Sequence, residues 1–100
     1  MRQISILLKN MNPTSSSLER FEKILEPIQV LLPPDSDIKL VLKKYPKNFE
    51  GIVIVHSSSG DFTVREEHKE LVPLVKALKN TLKSQIFKFR DTHQELRKAS

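Results

Sequence analysis

Between Leu71 and Phe89 the apolar residues Leu71, Val75, Leu78, Leu82, Ile86 and Phe89 recur at spacings of four, three, four, four and three. That rhythm is helical and places all six on one side of a cylinder. A helix with one apolar side must bury it against another layer, so the rest of the chain has to supply that layer. Pro73 falls in the first turn, where its missing N–H has no helical partner to lose. A second stripe runs along the same segment. Lys76, Lys83, Arg90 and Arg97 sit seven residues apart, with Lys79 between the first two. Seven residues is nearly two turns, so the five cations span roughly 60° of the circumference, about 100° from the apolar side. One stripe can dock while the other faces outward.

The second stripe also carries the charge. Residues 1–68 hold nine basic and nine acidic side chains, whereas residues 69–100 hold eight basic and three acidic, so the net +5 lies in the last segment. A cationic excess confined to one helix points to a polyanion. A solvated lysine-rich helix face would show the same pattern.

Upstream, the pattern switches between periods of two and 3.6. Gln3 to Lys9 alternates, with Ile4, Ile6 and Leu8 on one face. Ser16 and Glu19 fit a capping box before the helical series Leu18, Phe21, Leu25, Ile28, Leu32, a helix of about 15 residues that Pro27 should kink or end early. Asp37 to Tyr45 sets Ile38, Leu40 and Leu42 against Lys39, Val41, Lys43 and Tyr45, a half-buried strand with a basic outer face. Phe49 to His56 is rich in β-branched residues and reads as a central strand. Ser58-Ser59-Gly60-Asp61 turns the chain into a last strand, Asp61 to Glu66. The expected order is βαβββα. This is an α+β two-layer sandwich in a single domain, residues 1–100, with a four-stranded sheet and two helices on one face.

Composition excludes more than it assigns. With no cysteine there is no disulfide scaffold and no thiolate zinc site, which fits a reducing cytoplasm. No run of about 18 apolar residues exists, so no membrane span is expected. The N-terminus MRQISILLKNMNP lacks a long apolar core and a small-residue cleavage site, and reads as a strand. Gly51 and Gly60 are the only glycines, so there is no phosphate loop. His56, His68 and His93 are scattered over separate elements, and Asp35 and Asp37 read as turn residues. Ser57-Ser58-Ser59 has no base except adjacent His56. Glu66-Glu67-His68 reads as a charged lead-in to the last helix. No catalytic residue, metal site or cofactor is expected. Among the aromatics only Tyr45 should be exposed, which argues against a stacking platform for single strands.

Asp61 to Asp91, DFTVREEHKELVPLVKALKNTLKSQIFKFRD, resembles the last strand and long helix of the ribosome hibernation factors, the short ribosome-associated inhibitors also called sigma-54 modulation proteins. Val75, Leu78, Leu82, Gln85 and Ile86 follow that family's helix core, and Lys88 and Arg90 its basic end. The resemblance extends over the chain in element order. Three features depart from it. Leu8-Lys9-Asn10 stands where the family usually has a glycine, Lys76 and Asn80 stand where it has an acidic residue, and Thr81 and Ser84 stand where it is basic.

The resemblance implies a protein of the cytoplasm that occupies the messenger and transfer RNA cleft of the small ribosomal subunit and silences translation in stationary or stressed cells. Ending at Ser100, the chain is expected to be the short type, without a C-terminal dimerisation domain, and a monomer. The resemblance carries only Lys88 and Arg90 as contacts. Lys76, Lys79, Lys83 and Arg97 join them on electrostatic grounds, with Lys39 and Lys43 on the sheet as lesser candidates. Neither a membrane nor a small-molecule substrate is expected. Two other readings stay open: a different structured-RNA-binding domain, and an interaction module whose basic helix docks an acidic partner.

Overall fold

We analysed a computed structural model of the chain, which describes residues 3–12, 14–58 and 60–99, and their side chains over 4–12, 14–58 and 60–89. The order is β1 (Gln3–Lys9), α1 (Ser15–Gln29), β2 (Asp37–Lys44), β3 (Phe49–Ser57), β4 (Gly60–His68) and α2 (Leu71–Ala99). This is the expected βαβββα. The four strands form one sheet in the order β1-β2-β3-β4. β1 pairs parallel to β2, with Ile4 opposite Ile38 and Leu8 opposite Leu42. β2–β3 and β3–β4 are antiparallel. Parallel neighbours need a long crossover, which α1 supplies; the antiparallel pairs need only short turns.

Both helices lie on one face of the sheet. Ile38, Leu40 and Leu42 of β2, Val53 and Val55 of β3, and Phe62 and Val64 of β4 are buried there with Phe21, Leu25 and Ile28 of α1. Leu74, Val75, Leu78, Leu82 and Ile86 of α2 complete the same core. The strand alternation read from the sequence is thus the alternation of burial. Gly51 leaves room for α2 over the sheet: a Cβ there would lie 2.6 Å from Leu78 Cδ1.

Local chemistry departs from the sequence reading at three places. The cap of α1 is Thr14, not the Ser16–Glu19 box. Thr14 is extended (φ −113°, ψ 152°) and its hydroxyl accepts from the Ser17 amide at 3.2 Å, while Ser16 already lies inside the helix. Pro27 sits exposed in the last turn, and α1 ends two residues later, so Leu32 is buried from beyond the helix. β4 runs through His68, which makes Glu66 and Glu67 strand residues and leaves no acidic residue in the first turn of α2. Glu66 instead accepts from the Thr81 hydroxyl at 3.0 Å, and His68 Nδ1 accepts from the Glu70 amide at 3.0 Å. Asn10 has φ 62°, the left-handed region that favours glycine and that asparagine tolerates. Its amide donates to the Lys44 carbonyl at 3.4 Å.

Candidate nucleic-acid interface

The sheet fixes how α2 is rotated about its own axis. Leu74 and Leu78 sit over Gly51 of β3. Thr81 is tied to Glu66 of β4, and Phe89 packs edge-on against Phe62, centroids 5.5 Å apart. α1 occupies the other side of the helical layer, where Glu19, Glu22, Lys23, Glu26 and Gln29 form a cleft with Ile4 of β1. At 100° per residue, Lys79 and Lys83 lie roughly half a turn from Thr81. The cationic stripe therefore occupies the α1-facing shoulder of α2. Lys76 and Lys83 are exposed and Lys79 is half-buried. Among the described residues none of the three pairs with a carboxylate, and the Lys83 ammonium lies 6.0 Å from the centre of the Phe87 ring. Phe87 is 41% exposed, so this shoulder offers an apolar surface beside its charge.

The remaining candidates do not all join this surface. α2 is continuous to Ala99, and the side chains of Arg90 and Arg97 lie outside the described residues. Lys88 is exposed but lies about 20° from Thr81, on the β4 side. Lys39 and Lys43 are on the opposite surface of the molecule, the outer face of the sheet. There the Lys43 ammonium sits 5.1 Å from the centre of the Tyr45 ring, and Tyr45 is 36% exposed.

The outer face also holds a pair that period reading misses. Glu50 faces Glu67 directly across β3–β4, and Arg65, one pair along, reaches diagonally to Glu50. The Glu50 side chain is only 11% exposed. Its hydrogen bond and negative charge raise the guanidinium pKa of Arg65 still further, so Arg65 is always charged. Two glutamates in register with an arginine two residues before one of them is a sequence signal, but only once the register is known.

His56 Nδ1 lies 3.3 Å from Asp61 Oδ1 at the β3–β4 hairpin, with both side chains well exposed. Ser57 donates to the Gly60 carbonyl at 2.6 Å, which closes the turn. His93 lies outside the described side chains. Among the described residues no three His, Asp or Glu side chains cluster to hold a metal, and no helix is long and apolar enough to cross a membrane.

No family model matches the sequence, and no curated protein matches it significantly. Solved structures do match the fold. The Thermus thermophilus Protein Y N-terminal domain superposes with a TM-score of 0.77 at 23% identity, covering 86% of this chain and 97% of that one. A ribosomal subunit interface protein from Coxiella burnetii superposes with a TM-score of 0.76 at 17% identity, covering 91% of this chain and 99% of that one. The architecture that the resemblance implied is the one observed: this chain has the fold of the Protein Y N-terminal domain.

Proposed function

We propose that this protein binds the small ribosomal subunit in the cytoplasm, occupies its messenger and transfer RNA cleft under stationary or stress conditions, and blocks translation without catalysing a reaction. The observation that carries the reading is the cationic shoulder of α2, whose described lysines are exposed or half-buried and unpaired with acid on a helix that the core holds rigidly. The fold supports it, since one protein of that fold is a ribosomal subunit interface protein. Lysines that neutralise phosphates release counterions, and such contacts position a folded wedge without reading sequence. Structured RNA is recognised largely by shape and by phosphate and 2′-hydroxyl contacts, which suits a rigid two-layer domain.

The test is cosedimentation with purified small subunits. Lys76→Glu, Lys79→Glu and Lys83→Glu together should abolish binding while the circular dichroism spectrum and melting temperature stay near those of the parent. A folded triple variant that still cosediments overturns the proposal. So does parent protein that binds naked duplex RNA as tightly as it binds subunits.

A further inference from the structure

The ribosomal reading uses the helical layer and leaves the outer face of the sheet unassigned. That face has an ordered charge pattern. In register across the four strands, one row reads Lys9, Lys43, Glu50, Glu67. The next reads Leu7, Val41, Ile52, Arg65, and the third Ser5, Lys39, Ile54, Thr63. The centre is apolar, with Leu7 44% exposed and Val41, Ile52 and Ile54 half-buried. The β1–β2 half carries Lys9, Lys39 and Lys43 with Asp37 in the end row, and the β3–β4 half carries Glu50, Glu67 and Asp61 with Arg65.

We propose that two copies of this chain pair through these faces, about a two-fold axis that runs parallel to the strands between β2 and β3. The proposal is independent of the ribosomal reading and departs from the monomer expected from the sequence. Under this operation β1 of one copy lies over β4 of the second, and β2 over β3. Lys9 then meets Glu67 and Val41 meets Ile52, each contact made twice, as an isologous interface requires, while Lys43 lies over the Arg65–Glu50 ion pair. The stem of Arg65 covers Leu7. The other in-plane two-fold, across the strands and centred on the Val41–Ile52 row, sets Lys43 over Lys39 and both glutamates over uncharged residues. Charge thus selects one axis and one partner, a second copy of the chain. Stacked sheets pack about 10 Å apart with strands within about 30°, which these side chains can span.

The face is roughly 19 by 17 Å, from strand spacings of about 4.8 Å and rises of about 3.4 Å. An interface of that size is small, so pairing is weak and concentration-dependent, with a dissociation constant on the order of tens to hundreds of micromolar. Sedimentation equilibrium of the full chain should show it at concentrations up to about 1 mM, which lies above that range. Lys9→Glu or Glu67→Lys alone should weaken pairing about tenfold, because each reverses two symmetric contacts, and the Lys9→Glu/Glu67→Lys double variant should restore it. Because the chain has no cysteine, geometry can be tested cleanly. A short bis-maleimide should join Lys9→Cys to Glu67→Cys in a mixture faster than it joins either variant to itself. A single monomeric species at about 1 mM overturns the proposal, as does a charge swap that fails to restore pairing, or a Lys9→Cys variant that links to itself fastest.

Discussion

Gly51 lies under α2, and its lack of a side chain leaves room for two leucines of that helix. A Cβ there would lie 2.6 Å from Leu78, 3.2 Å from Leu42 and 3.3 Å from Leu74, all fully buried. Gly51→Ala should therefore destabilise the fold by about 1–3 kcal/mol, read as a lower urea midpoint with an unchanged slope. Asn10 makes the opposite prediction. Its φ of 62° suits glycine, so Asn10→Gly should leave stability within about 0.5 kcal/mol, whereas Asn10→Val should cost about 1–3 kcal/mol. Sequence reading reached such positions unevenly. Asn10 was visible as a departure from a family glycine, and its backbone conformation supplies the reason for it. Thr14 was hidden by the serines that follow it, since any of several hydroxyls could cap. Glu50 was not singled out, because its burial depends on Arg65 of another strand.

At the scale of elements, α2 carries two stripes and serves two layers. Its apolar period was legible to Phe89: Val75, Leu78, Leu82 and Ile86 are buried in the core with Leu74, and Leu71 and Phe89 are half-buried against it. Strand bounds were legible to within two residues, because alternation shows where one face is buried; it does not show how far pairing continues past the last buried position. That gap hid the true place of Glu67 and His68 in β4. The rotation of α2 about its axis was not legible, since it depends on Gly51, on the Thr81–Glu66 hydrogen bond and on which side α1 takes. It decides that Lys88 stands apart from Lys79. Salt titration of subunit binding should register this difference. Replacing Lys79 or Lys83 by alanine should each reduce the slope of log K against log salt by about 0.7–0.9, and Lys88→Ala should change it less.

Across the whole molecule the two surfaces differ in charge. The helical layer presents the cationic shoulder, and the outer sheet face presents a patterned, nearly balanced one. Lys39→Glu with Lys43→Glu should therefore reduce subunit cosedimentation less than the triple change on α2; a larger loss would move the binding surface to the sheet. The topology also bears on how the domain comes apart. β2, β3, β4 and α2 follow one another through short turns, whereas β1 pairs with β2 from 34 positions away along the chain, at the sheet edge. Loop closure makes that distant pairing the slowest to form and among the first to open. Amide exchange should be faster in β1 than in β3. When β1 peels away it bares the Asp37–Lys44 rim, an unguarded ladder on which another polypeptide could zip, so fraying at the amino end is where this fold begins to aggregate.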